Sequence, residues 1–135
     1  EAYDAVLENG ALMEHFGACA IVHSDSAIGI QRLNQEAAKA MAAGQRAGLE
    51  MDEALAITWI TANPARSLGV LDETGTLEPG KAADVVVWDA NPFSVYARVE
   101  RVFIDGALAF DRDNPARQPV TDFELGTHVD QGGIR

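Results

Sequence analysis

Asp25 closes the apolar run Gly17-Ala-Cys-Ala-Ile-Val-His-Ser-Asp25. A carboxylate at the mouth of a buried segment can ligate a divalent metal or take a proton from water. His23 lies two residues earlier, on the same side of an extended segment. It can be a ligand, line a pocket floor, or be a hydrogen-bonded core histidine. Ser24 and Ser26 flank the carboxylate and can contact a substrate or cap the helix that follows. Asp25 also has an ordinary reading, as a loop carboxylate near the N-terminus of that helix. The usual partners of a metal-binding carboxylate are missing from the chain. Its three histidines, His15, His23 and His128, form no close pair, whereas a zinc site needs at least three protein ligands. Cys19 is the single cysteine and so forms no internal disulfide. Its apolar neighbours predict a buried, inert thiol.

The elements that must position these groups change character along the chain. Val6, Leu7, Leu12 and Met13 give a loosely helical pattern between Ala2 and Glu14, interrupted by Asn9-Gly10. Ala18 to Val22 is a continuous apolar run ending in β-branched residues, the pattern of a strand covered on both faces. Between Gly29 and Ala47, residues Ile30, Leu33, Ala37, Met41 and Gly44 trace one helical stripe, with Gly48 placed as C-cap. Asp52 reads as the N-cap of a helix from Glu53 to Ala62, with Leu55, Trp59 and Ala62 inward. Pro64 stops that helix, and Asn63 with Pro64 starts a further turn that ends at Gly69.

After Gly69 the period becomes that of strands. Glu78-Pro79-Gly80-Lys81 suits a type II turn, because Pro fixes the second position and Gly accepts the positive φ of the third. Strands are expected over Asp84 to Trp88, Val99 to Ile104 and Ala107 to Phe110, the last two joined by the hairpin signal Asp105-Gly106. Trp88 is expected between the sheet and the helices, and Lys81 in solvent. The residues from Asp111 onward are rich in Pro, Gly, Asp and Gln, and read as an extended or disordered tail.

Composition sets outer bounds. The 135 residues are 47% apolar and fit one soluble domain with a modest core. Twenty-one acidic against ten basic residues give a charge of -11, which repels phosphate backbones and anionic lipid, so neither nucleic acid nor a membrane is an expected partner. No membrane span or signal peptide is visible, and the default location is the cytoplasm. A lone parallel strand cannot satisfy its own backbone groups. Either the chain oligomerises through that strand or, starting at Glu1 without a methionine, it is a piece of a longer protein. Exposed apolar faces then favour self-association.

From Gly17 to Phe110 the sequence resembles the C-terminal third of the metal-dependent amidohydrolase superfamily, of the imidazolonepropionase-like and cyclic amidase type. The resemblance is carried by the strand ending in His23-Ser24-Asp25-Ser26, by Glu53 to Gly69 with its Thr61-x-Asn63-Pro64-Ala65-x-x-Leu68-Gly69 ending, and by Gly75 to Asp89 with its Gly80-Lys81-x-Ala83-Asp84 motif. It implies an α/β fold: the last strand and helices of a TIM (β/α)8 barrel over residues 1–69, part of a small antiparallel β-sandwich over 70–110, and an extended tail over 111–135.

The resemblance also implies chemistry. In that family the Asp ending strand eight ligates a metal and accepts a proton from the water bound to it, so Asp25 would be both metal ligand and general base. The whole enzyme would hold one or two divalent ions, zinc first among them, and hydrolyse a carbon–nitrogen bond of a small-molecule substrate. The family's His-x-His pair, bridging ligand and remaining metal histidines have no counterpart here, and the isolated chain is expected to be inactive and metal-free. A dipeptidase or a deaminase of the same superfamily would look much alike over this stretch. A free-standing, noncatalytic interaction module is the alternative from another class.

Overall fold

The computed structural model describes residues 5–118. Its first half is helical: α1 (Asn9–His15), a 3-10 turn (Gly29–Arg32), α2 (Leu33–Arg46), α3 (Glu53–Thr58) and α4 (Ala62–Leu68). The stripe on α2 is buried at Ala37, Met41 and Gly44, while Ile30 stays exposed. Gly44 lets α1 approach α2 closely, since a Cβ there would collide with that of Ala11. α2 ends in a Schellman motif. Gly48 takes φ 85° and donates to the Gln45 carbonyl, and Leu49 donates to that of Gly44, both at 3.0 Å. The core cluster is Ala11, Ala20, Ala37, Met41, Ala56 and Trp59. Trp59 is the only large side chain fully buried among the described residues, so one indole fills the space that alanines leave.

The expected helix from Glu53 to Ala62 is broken in two. Asp52 caps α3 as the sequence indicates, its carboxylate accepting from Leu55 N–H at 2.7 Å. The helix then tightens into i→i+3 bonds at Trp59, Ile60 and Thr61. Thr58 and Thr61 turn their hydroxyls back onto the Leu55 and Ile57 carbonyls, each at 2.7 Å. α4 begins at Ala62, so Asn63 and Pro64 lie inside its first turn, not at its cap, where a proline's missing N–H costs nothing. Gly69 closes α4 at φ 77°.

No strand forms over the expected Ala18–Val22 run. The segment lies on α3 and α4 and finds no ladder partner among the described residues, as the need for neighbouring strands requires. One face is therefore open, and Cys19 is exposed where a buried thiol was expected.

The second half is a three-stranded antiparallel sheet in the order β1 (Val85–Trp88), β2 (Val99–Ile104), β3 (Ala107–Asp111). Val86 faces Val102 across the first pair, and Val102 faces Phe110 across the second. Asp105 (φ 50°) and Gly106 (φ 76°) both take the positive φ that a type I′ hairpin demands. Asn114 caps a second 3-10 turn, Pro115–Arg117. His128 and the remainder of the expected tail lie outside the described residues.

Loop residues tie the halves together. Phe93, not Trp88, packs against the helical core. Asn34 Nδ2 donates to the Pro92 carbonyl, and Asn91 Nδ2 to Glu53 Oε1 at 2.6 Å. Lys81 is not solvated. Its ammonium donates to the Leu71 carbonyl at 2.7 Å and to Thr76 Oγ1 at 2.6 Å, gathering the 71–76 loop. Asp84 accepts from Asp105 N–H at 2.8 Å and so holds the hairpin turn from below.

Asp89 plays a similar part at the end of β1. Its carboxyl titrates below the ordinary carboxylate range, first because Arg98 N–H donates to it at 2.7 Å and second because the Arg112 guanidinium lies at 2.9 Å. A depressed folded-state pKa contributes stability above the unfolded-state value and loses it as pH falls through the folded one. Asp89→Asn is therefore expected to flatten the acid limb of the stability–pH curve below about pH 4. An acid limb identical to the parent's in urea titrations would contradict this.

Candidate functional site

Asp25 sits in a bend between the 18–22 segment and the 3-10 turn, with its side chain 99% exposed. The bend is fixed on its far side by serines. Ser26 N–H donates to Ser24 Oγ at 3.0 Å, and Ser26 Oγ accepts from Ile28 N–H at 3.3 Å and Gly29 N–H at 3.1 Å. Ser26 thus does the capping that could have fallen to Asp25. Gly29 has no Cβ because one there would lie 2.6 Å from Ser24 Oγ.

On its near side the segment is held by the helices. Val22 N–H donates to the Trp59 carbonyl at 3.1 Å, and Asn63 Nδ2 donates to the Ala20 carbonyl at 2.9 Å. Ala20 and Asn63 are 2% and 5% exposed, so water does not substitute for this bond. Asn63 Oδ1 accepts from Arg66 Nη1 at 2.9 Å, which fixes the orientation of the amide. The Cys19 thiol lies 3.9 Å from the Asn63 carbonyl oxygen.

Of the residues singled out in the sequence, the structure brings together His23, Ser24, Asp25 and Ser26. His23 Nδ1 is 3.6 Å from Asp25 Oδ1, with the ring 75% exposed. No hydrogen bond to another described residue engages the Asp25 carboxylate. Most other acids that hold local structure, Asp52, Asp84 and Asp89 among them, accept backbone N–H groups. His15 ends α1, stacked edge-on against Phe16 at 5.1 Å. His23, Ser24, Ile28, Gly29, Arg32 and Glu36 line a shallow cleft of about 340 Å³.

The donor set decides what this corner can hold. One carboxylate and one imidazole offer hard oxygen and borderline nitrogen, a combination suited to zinc and similar divalent ions. Two donors fall short of the three that a zinc site takes from protein. Among the described residues no group of three or more His, Cys, Asp or Glu is placed to hold a metal. The described residues can contribute to such a site and do not complete one.

Asn63 is the neighbour of this bend whose place the sequence misassigned, inside α4 and not at its cap. An Asn-Pro pair carries the signal of a helix cap, and a cap and a buried amide that reaches a distant carbonyl have the same local sequence. The Thr-x-Asn-Pro-Ala pattern marks the position as special without saying what the amide touches.

The model of the amidohydrolase family matches residues 5–114. The amidohydrolase tasK of Hapsidospora irregularis is 37% identical over 130 residues, covering 96% of this chain and 13% of that protein. The imidazolonepropionase of Mesorhizobium japonicum is 57% identical over 42 residues, 31% of this chain and 10% of the relative. A crystal structure of an amidohydrolase from Thermotoga maritima superposes with a TM-score of 0.71 at 35% identity, covering 82% of this chain and 27% of that one. The chain thus spans a small part of the length of the relatives it matches. The family model's match spans the residues of the helices and of the small antiparallel sheet alike. No helix among the described residues is long and apolar enough to cross a membrane.

Proposed function

The chain belongs to the amidohydrolase family, and from that membership we propose that it is the C-terminal segment of a metal-dependent hydrolase of non-peptide carbon–nitrogen bonds, with Asp25 as metal ligand and general base. One observation carries the assignment of Asp25. Its carboxylate is 99% exposed and accepts no hydrogen bond from another described residue, while Ser26 takes over the cap. A structural carboxylate would be spent on backbone donors, as Asp52 and Asp84 are.

A divalent ion that Asp25 would help to hold, with His23 beside it, would supply Lewis acidity that makes water easier to deprotonate. Asp25 then takes the proton from water as its oxygen adds to the carbonyl or ring carbon of a small-molecule substrate, and returns a proton to the departing nitrogen. The remaining ligands belong to sequence outside these residues, for which the relatives' greater length leaves room. On this reading the segments 1–69, 70–110 and 111–135 are the end of a barrel, part of a β-sandwich and a tail.

A metal titration tests the reading. The 135-residue chain alone is expected to show only weak, unsaturated zinc binding by calorimetry, and the full-length protein to bind one or two ions tightly. Stoichiometric, tight binding by the short chain would sink the proposal, as would full activity of a metal-stripped full-length enzyme.

A further inference from the structure

We propose that Arg32 selects the substrate by holding a carboxylate on it, an inference that rests on Asp25 ending a barrel strand beside the reacting atoms. His23, Ser24 and Arg32 border one shallow cleft of about 340 Å³, and His23 and Ser24 immediately precede Asp25. The cleft therefore opens beside the carboxylate of Asp25. In barrel enzymes the loops that follow the strands build the substrate site. Arg32 ends the 3-10 turn Gly29–Arg32, on the connection from Asp25 to α2. That turn is held on both sides. Ser26 holds its start, the carbonyl accepting from Ile30 N–H at 3.0 Å and Oγ from Gly29 N–H at 3.1 Å. Beyond it, buried Asn34 donates to the Pro92 carbonyl and fixes the first turn of α2.

The polar groups of the cleft differ in what they have left to offer. Ser24 Oγ accepts from Ser26 N–H at 3.0 Å and donates to the Ser26 carbonyl at 3.2 Å. Glu36 lies four residues beyond Arg32, the spacing of a helical ion pair, yet its carboxylate is taken by Lys39 at 2.6 Å. Arg32 has no hydrogen-bond or ion-pair partner among the described residues, whereas Lys39, Arg101 and Arg112 are paired with carboxylates and Lys81 and Arg117 donate to carbonyls. The cleft thus presents a planar fork of N–H donors, a geometry that takes a carboxylate in two parallel bonds. The amides of Ile28 and Gly29 are already given to Ser26, so no nest of backbone donors is left for a phosphate dianion. The chain's net charge of -11 does not cancel the guanidinium. Exposed charges beyond about 8 Å are largely screened at physiological ionic strength, and Lys39 offsets Glu36, the acid in the cleft.

Linear dicarboxylates from malonate to adipate, each beside its monomethyl ester, are the probes, titrated by calorimetry into the zinc-loaded full-length protein. One carboxylate can enter the reacting site, and only the diacid offers Arg32 a second. At least one diacid is expected to bind about tenfold more tightly than its monoester, as one hydrogen bond between charged groups allows. Arg32→Gln is expected to abolish that difference. Arg32→Lys should restore part of it, since an ammonium keeps the charge without the fork. Added potassium chloride should shrink the parent's difference, because the guanidinium is exposed. Arg32 makes no described bond that folding depends on, so both variants should fold. No binding of any diacid, equal affinities within every pair, or a difference that survives Arg32→Gln overturns the assignment. Zinc affinity unchanged in Asp25→Asn instead overturns the ligand reading of Asp25, so the two failures are told apart.

Discussion

Asp25→Asn in the full-length protein is expected to lower kcat by about two to four orders of magnitude, the usual worth of a positioned acid–base group. Asparagine keeps the shape and one oxygen, and removes both the negative charge and the capacity to accept a proton. The same substitution is expected to leave unfolding free energy within about 0.5 kcal/mol of the parent, as for surface sites free of structural bonds. That separation is what makes the result diagnostic. The side chain is 99% exposed and accepts no hydrogen bond from another described residue, so loss of activity with full stability points to chemistry and not to folding. A kcat within threefold of the parent would remove Asp25 from the reaction.

Trp59→Ala is expected to cost about 3 to 5 kcal/mol in stability, the range for truncating a buried aromatic. Two features place it at the top of that range. The side chain is 0% exposed at the centre of the helical core, where it is the one large side chain fully buried among the described residues. The indole Nε1–H donates to Glu14 Oε2 at 3.1 Å, which links α3 to α1. Small-domain stabilities are about 5 to 15 kcal/mol, so the variant loses a large share of the stability that keeps such a domain folded. Trp59→Phe, which keeps most of the ring volume and loses the indole donor, should fall by about 1 to 2 kcal/mol. Urea unfolding of both variants checks the pair, and a loss below 1 kcal/mol for Trp59→Ala would show that the core does not depend on this side chain.

Local rules made much of the fold legible. The Asp105-Gly106 hairpin, the Gly48 and Gly69 helix ends, the Asp52 cap and the turn at Gly80 each depend on a few adjacent residues whose backbone preferences are strong. The family was legible for the same reason, since its motifs are short runs read in order. Failures occurred where a residue's partner lies far along the chain. Lys81 looked like a surface ammonium until the 71–76 loop closed over it. Phe93 carried no pattern of its own, yet its loop brings it onto the helical core. The apolar run at 18–22 promised a strand, but a strand is a relation between neighbours and not a property of five residues.

The same division runs through the candidate site. Sequence alone singled out Asp25, supplied its neighbours His23, Ser24 and Ser26, and tied the chain to a family through motifs that run from residue 53 to residue 89. Those are properties of residue type and spacing. Only the tertiary structure decided that Ser26 and not Asp25 caps the turn, that the carboxylate stays free, and that the amide of Asn63, 43 residues beyond Ala20, holds the segment that carries it. The reason is that a hydrogen bond between distant residues depends on two backbones meeting. A buried amide and a capping amide are written with the same letter.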